Sequence, residues 1–379
     1  MNPYLDEDLK AIAAQTAEYV EREIVPKAEL WESEGRVPRE VLRHMGEVGF
    51  FGLRAPEDYG GIGMGPLASV VFAEQLGRST FGGFTITVLA HTDLAMPYVT
   101  RFGSEELKQR YLGGMVAGEI IGGLAVTEPD AGSDVAAIRT TAHRDGDEYV
   151  IDGSKMFITN GAEGDVVVVA ARTDPDAKAS RGVSMFLVEK GTPGFTVGRS
   201  LKKMGWRSSD TAELVFSGCR VPAENLIGEE NQGFYYIMQN FQNERLVLAG
   251  QSLGEAQRAI ELTLEHVKGR SAFGATLWSK QAVRQRLAMD QARLDAARLL
   301  TYQAAWLEGR GEDSTRLVSE VKALVGELVN EILYDCVQFH GGMGYIAETA
   351  VERLYRDARI QSIGGGATEV MLEEVAKRL

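Results

Sequence analysis

The chain is 379 residues long, more than one compact core usually serves, so its length points to two or three packed units. Hydrophobic residues make up 44% and charged residues 25%, which excludes a disordered or fibrous chain, and the formal charge of -14 argues against a nucleic-acid groove or an anionic membrane surface as main partner. Cys219 and Cys336 are the only cysteines, no apolar run approaches the ~18 residues that span a bilayer, and the opening MNPYLDEDLK has neither signal-peptide nor transit-peptide character. These features predict a cytoplasmic protein without disulfides.

From about Leu5 to Gly118 the pattern is helical. Leu5, Leu9, Ile12, Thr16 and Val20 recur at spacings of three and four, and later helices end at glycine- and proline-rich punctuation such as PEDYGGIGMGP. From about Ile120 to Gly228 short β-rich runs take over (EYVID, KMFITN, DVVVVAAR, VSMFLVEK, AELVFSGCRV), separated by turns at Asp145-Gly146, Asp152-Gly153 and Asn160-Gly161. Beyond Gly228 amphipathic helices return. Val283, Leu287, Asp290, Leu294 and Ala297 mark one stripe, and Leu317, Val321, Leu324, Leu328 and Ile332 another. Strands grouped together, rather than alternating with helices, argue against a doubly wound sheet. The expected fold is α+β and multi-domain: a helical unit over 1–119, an antiparallel barrel or sandwich over 120–228, and a helix bundle over 229–379.

Most catalytic motifs are missing. GGMGYIA, Gly341 to Ala347, matches G-x-G-x-x-A, but it follows a helical pattern where a dinucleotide fingerprint needs a strand, so it reads as a helix-ending turn. There is no Walker A loop and no G-x-S-x-G elbow, and His44, His91, His143, His266 and His340 lack metal-ligand spacing, so no metal is expected. In LAVTEPDAGSDV, Leu124 to Val135, hydroxyls at Thr127 and Ser133 flank a turn whose backbone N–H groups could face an anion; a capped turn explains it equally.

Glu244, in NFQNERLVLAG, is more informative. Ile237, Phe241, Glu244 and Leu248 fall at spacings of four, three and four, which places a carboxylate on the apolar stripe of a helix. Burial there raises a carboxyl pKa toward the range of a general base, unless a cation on a facing helix turns it into a structural ion pair. Near the end, RDARIQSIGGGATEVM sets three glycines before a final apolar helix, either as a phosphate cradle or as a place where a side chain is missing.

VTEPDAGSD, DEYVIDGSKMFITNG, GRSAFG, QFHGGMGY and RDARIQSI, in this order and over essentially the whole chain, resemble the motifs of the acyl-CoA dehydrogenase flavoproteins. The resemblance implies a helical domain, a β-barrel and a C-terminal four-helix domain, assembled as a homotetramer and binding FAD. It implies flavin-side contacts from Leu124, Val126, Thr127, Ser133, Phe157, Ile158 and Thr159, with Phe157 standing where many members have tryptophan. Arg270, Phe273, Gln281, Gln338, Gly341 and Gly342 would hold the pyrophosphate and adenine, partly across a subunit interface, and Glu369 would lie on the cofactor side. Ala367 replaces the threonine of the usual GTS segment.

The implied reaction removes an α proton from an acyl-CoA thioester and passes a β hydride to flavin N5, with electron-transfer flavoprotein as acceptor. Many members carry the base just after the RDARIQSI motif, where this chain has Gly365. Isovaleryl-CoA and long-chain members instead place it in an ERLVLA-like motif, which here supplies Glu244. The resemblance thus assigns proton abstraction to Glu244, thioester activation to the Gly365 N–H, and substrate contacts to Ser133, Arg245 and Gly365. An acyl-CoA oxidase or flavin monooxygenase on the same fold is the alternative activity, and a catalytically silent member a third.

Overall fold

The computed structural model describes residues 3–379, the side chain of residue 179 excepted; Met1 and Asn2, at the head of the expected helical unit, lie outside the described residues. The first unit contains α1 (Glu7–Tyr19), α2 (Ala28–Glu34), α3 (Arg39–Glu47), α4 (Pro66–Gly77), α5 (Gly82–Leu89), α6 (Met96–Phe102) and two short helices, α7 (Glu105–Leu107) and α8 (Gly113–Val116). Asp6 caps α1, accepting the Leu9 N–H at 2.9 Å, and Leu9, Ile12, Thr16 and Val20 are buried as their spacing predicts. A π-helical stretch, Ala90–Ala95, joins α5 to α6 and makes one inner helix that is buried along most of its length.

The second unit is a sheet of β1 (Gly122–Ala125), β2 (Thr141–Asp145), β3 (Glu148–Thr159), β4 (Val166–Arg172), β5 (Val183–Glu189), β6 (Phe195–Ser200), β7 (Thr211–Pro222) and β8 (Leu226–Ile227). The predicted Asp145-Gly146 turn closes the β2–β3 hairpin. Among the described residues the pairing follows the path β6-β7-β3-β2-β4-β5-β8, with β1 parallel to β4 and no ladder joining β6 to β8. At the two ends of that path, β8 is two residues long and β6 turns most of its side chains to solvent. Alternation along β4 shows how the sheet joins the helices. Val166, Val168 and Ala170 enter the main helical core, while Val167, Val169 and Ala171 enter a second core inside the sheet.

The third unit holds α9 (Gly233–Gly269), the hairpin β9 (Ser271–Ala272) and β10 (Ala275–Thr276), α10 (Gln281–Gly309), α11 (Thr315–His340), α12 (Ala350–Ala358) and α13 (Thr368–Ala376). Three long helices and two short ones therefore stand where four were expected. On α11 the buried stripe is Val318, Val321, Val325, Leu328 and Ile332; Leu324, expected inside, is exposed because the residue four after Val321 returns to its face. Glycines bring α4 against α9: a Cβ at Gly254 would stand 1.9 Å from the Glu74 carbonyl oxygen, and one at Gly77 2.3 Å from that of Gln251. Among the described residues no helix is long and apolar enough to cross a membrane.

Candidate active site

From Asn243 to Ala256, α9 is buried without interruption, because other helices cover it on every side. Glu244 sits in this stretch at 5% exposure. Its Oε1 accepts a hydrogen bond from Asn240 Nδ2 at 2.9 Å, one turn earlier, and its Oε2 has no donor among the described residues. No cation from a facing helix forms an ion pair with it there. Burial is therefore the dominant influence, and with Asp93 adding to it the carboxyl is pushed up to about 8 despite the opposing Asn240 bond and Arg245 charge. Asn240 and Asn243 also tie α9 to the π-helical stretch: their Nδ2 groups donate to the Asp93 carbonyl at 3.2 Å and the Asp93 carboxylate at 3.1 Å.

The three glycines close over the same part of α9. Gly365 has φ +66°, and a Cβ there would stand 2.3 Å from Leu248 Cδ1, one turn beyond Glu244. Gly366 has φ +112°, with its own Cβ position 3.5 Å from Arg245 Nε. Both dihedrals suit glycine and strain other residues. The Gly365 N–H has no acceptor among the described residues, whereas the Gly364 N–H is used by the Ile360 carbonyl at 2.8 Å. Arg245 is 9% exposed; burial lowers its pKa, Glu244 opposes that, and its Nε is buried without a partner. The loop thus leaves one backbone donor free, and it packs against Leu248 and Arg245, the α9 residues that follow Glu244.

The structure brings the two predicted flavin-side segments together. Met156 N–H donates to the Thr127 carbonyl at 2.9 Å, and Lys155 Nζ reaches the Val126 carbonyl at 3.1 Å and Glu128 Oε1 at 2.7 Å. This buried ion pair, with the Arg139 and Thr140 N–H groups on the same carboxylate, explains Glu128 of the TEPDAGSD motif. Burial opposes charge on both partners; Glu128 nevertheless stays below the usual carboxylate range, held there by Lys155 and the N–H donors, and Lys155 falls to about 8. The hydroxyls of Thr127 and Ser133 have no partner among the described residues. Next to them the β3–β7 register slips between Lys155 and Ile158, and the bulge turns Phe157 outward at φ +63° and 65% exposure. A bulky residue in that conformation is strained, which marks functional places. Leu124 and Thr159 are half-buried and Val126 is buried. Ile158 differs from expectation: its side chain lies in the sheet core.

The remaining expected residues lie elsewhere. Arg270 caps the far end of α9, about 39 Å along the helix from Glu244 at 1.5 Å per residue. Phe273 tops the β9–β10 hairpin at φ +53° and is fully exposed. Stacking of His266 on His340, ring centroids 4.3 Å apart, brings this end of α9 to the end of α11, where Gln338, Gly341 and Gly342 are exposed and near Gln281 only through the same end of the bundle. The sheet, by contrast, meets the start of α9, where Asn231 N–H donates to Ser184 Oγ at 2.7 Å. Glu369 is exposed in the first turn of α13, and Ala367 stands at its N-cap without a capping side chain. Two buried groups were not singled out by spacing: Glu255, three turns beyond Glu244, and Lys322 on α11.

Comparison with known proteins agrees with this arrangement. The family descriptions "Acyl-CoA dehydrogenase, N-terminal domain", "middle domain" and "C-terminal domain" match residues 6–119, 123–219 and 231–379 in turn. A long-chain specific acyl-CoA dehydrogenase from Sus scrofa is 41% identical over 95% of this chain and 84% of its own length. An isovaleryl-CoA dehydrogenase from Pongo abelii is 37% identical over 97% of this chain and 87% of its own. The crystal structure of a probable acyl-CoA dehydrogenase from Mycobacterium abscessus superposes with a TM-score of 0.96 at 41% identity, over 99% of both chains. With three domains matched in order and relatives aligned over nearly its whole length, the chain belongs to the acyl-CoA dehydrogenase family.

Proposed function

We propose that the chain is an FAD-dependent acyl-CoA dehydrogenase that introduces a trans α,β double bond into an acyl-CoA thioester, with Glu244 as base and the Gly365 N–H as a donor to the thioester oxygen. One observation carries this reading: a buried carboxylate without an ion pair lies one helical turn from a loop whose backbone N–H is free and whose φ and packing disfavour a side chain. The α proton of a thioester is weakly acidic, so a donor fixed at the oxygen in a water-poor site lowers the barrier to its removal. Arg245, behind Gly366, adds positive charge on the same side. The carboxyl must be ionised to act, so kcat/KM of the free enzyme rises as pH passes about 8.

The residues present fit FAD. Free hydroxyls at Thr127 and Ser133 beside the out-turned ring of Phe157 suit the flavin side, with Leu124, Val126 and the backbone of Ile158 and Thr159 around them. When bound, FAD supplies the hydride acceptor for the β carbon. Arg270, Phe273, Gln281, Gln338, Gly341 and Gly342 fit the pyrophosphate and adenine side, and Glu369 belongs to the cofactor side. Because Arg270 is about 39 Å from Glu244 along α9, these residues serve the site of a second copy, in a homotetramer. The exposed Phe273 and Tyr345 at that end support such a contact.

Electron-transfer flavoprotein is the proposed acceptor, and the free, buried Cys219 and Cys336 suit a reducing cytoplasm. The domains are taken as 1–119, 120–228 and 229–379, supported by the start of β1 at Gly122, the end of β8 at Ile227 and the start of α9 at Gly233. The test is Glu244→Gln, which keeps size and one hydrogen bond. FAD binding stays normal and anaerobic flavin reduction by acyl-CoA slows by ~10²- to 10⁴-fold; near-normal reduction in stopped flow would sink the assignment.

A further inference from the structure

Three residues at successive turns of α11 hold the segment that ends in the triple glycine. Asn330 Nδ2 donates to the Ala358 carbonyl at 3.1 Å. Gly326 allows so close an approach that a Cβ there would stand 2.7 Å from the Gln361 carbonyl oxygen. Lys322 Nζ donates to that same Gln361 oxygen at 2.5 Å and to the Gly366 oxygen at 3.1 Å. These two carbonyls bracket Gly365 along the chain.

Lys322 is almost completely buried and forms no ion pair among the described residues. Burial draws its pKa down to about 8, with Arg245 adding to the effect and Glu327 opposing it. An ammonium held only by neutral carbonyls is costly to bury, and an apolar side chain of similar volume would fill the core without that cost. The charge therefore serves the geometry of what it holds. Its Cε lies 3.8 Å from the position a Gly365 Cβ would occupy, directly beneath the loop.

We infer that Lys322 is a positioning residue for thioester activation: its ammonium clamps the Gln361 and Gly366 carbonyls and so fixes the peptide that presents the Gly365 N–H to the thioester oxygen. This rests on the function proposed above. A clamp of this kind acts on the acidity of the bound substrate more than on its affinity, because the N–H is needed most when negative charge develops on the oxygen.

The test uses the FAD-loaded enzyme and acetoacetyl-CoA, a β-keto thioester that loses an α proton but has no β hydride to give. Its own enolate absorbance reports the acidity of the bound form as pH is varied. In Lys322→Met the bound thioester becomes at least about tenfold less acidic, and flavin reduction by acyl-CoA falls by ~10²-fold, while flavin content and ligand affinity stay near wild type. Gly326→Ala displaces the Gln361 carbonyl without touching the charge, and shifts the acidity the same way. Should Lys322→Met fail to hold flavin, Gly326→Ala decides alone. Acidity within about twofold of wild type in the variants that hold flavin overturns the inference. Wild-type enzyme that neither acidifies acetoacetyl-CoA nor is reduced by any acyl-CoA overturns the functional reading, and this one with it.

Discussion

Glu244 and Glu255 sit on the same helix, three turns apart, and burial lifts both carboxyls to about 8. Their surroundings differ. Glu244 keeps 5% of its surface and an oxygen without a donor among the described residues, and its neighbours Arg245 and Leu248 pack against the triple-glycine loop. Glu255 keeps none: Gln251 Nε2 donates to its Oε1 at 2.7 Å, and the Gln361 side chain lies close enough to oppose the effect of burial on the same carboxyl. The comparison teaches that a raised pKa does not by itself make a base. Access to a reacting atom, and a donor placed for the charge that develops there, separate a working carboxylate from a buried one.

Paired substitutions test that contrast most sharply. Glu244→Gln lowers the rate of flavin reduction by ~10²- to 10⁴-fold, whereas Glu255→Gln leaves it within about threefold of wild type in the same stopped-flow assay. Equal losses in the two variants would erase the distinction. Gly365→Ala comes next. Its positive φ and the Leu248 contact together lower stability by more than about 1 kcal/mol in urea melts, and Leu248→Ala in the same chain restores the packing part of that loss but leaves the φ part.

Stability against pH separates the same two groups from ordinary carboxylates. Both have folded pKa values above their ordinary 4.5, so each favours the folded state in its protonated form. That contribution is complete below about 4.5 and is lost as pH rises to about 8. Glu255→Gln removes one titration, and its stability relative to wild type improves by at least about 1.4 kcal/mol between pH 5 and pH 8, read from denaturant midpoints. The smallest effect belongs to the loop itself. Ala367→Ser supplies the missing N-cap of α13 and adds about 0.5 to 1 kcal/mol, with little change in rate.

Much of this arrangement is legible in the sequence, for identifiable reasons. A carboxylate interrupting an apolar stripe reveals Glu244 because helical periodicity is strict, and three consecutive glycines before an apolar helix draw attention to Gly365. The same stripe continues through Leu248 and Ser252 to Glu255, so periodicity alone does not tell the two carboxylates apart. Lys322 is less visible still: its partners are backbone carbonyls, which leave no trace in residue identity, and a lone lysine on a helix usually means a solvated face. The strand order is hidden for a similar reason, since the short β8 and the register shift between β6 and β7 depend on pairings that turn signals do not set. Phe157 stands out by resemblance; its out-turned conformation comes from a slip in strand register that alternation does not predict.

Leu248 has a consequence for how this site can change. A carboxylate placed at residue 365 needs a left-handed backbone there and the space that Leu248 fills, so exchanging the glycine for glutamate leaves a strained loop pressing on a displaced leucine. With Glu244 as the proposed base, placing that role at residue 365 instead takes at least two coordinated substitutions, the first of which strains the loop before the second can relieve it. The position of the base is in that sense ratcheted: loss of Glu244 has no single-step repair from the loop.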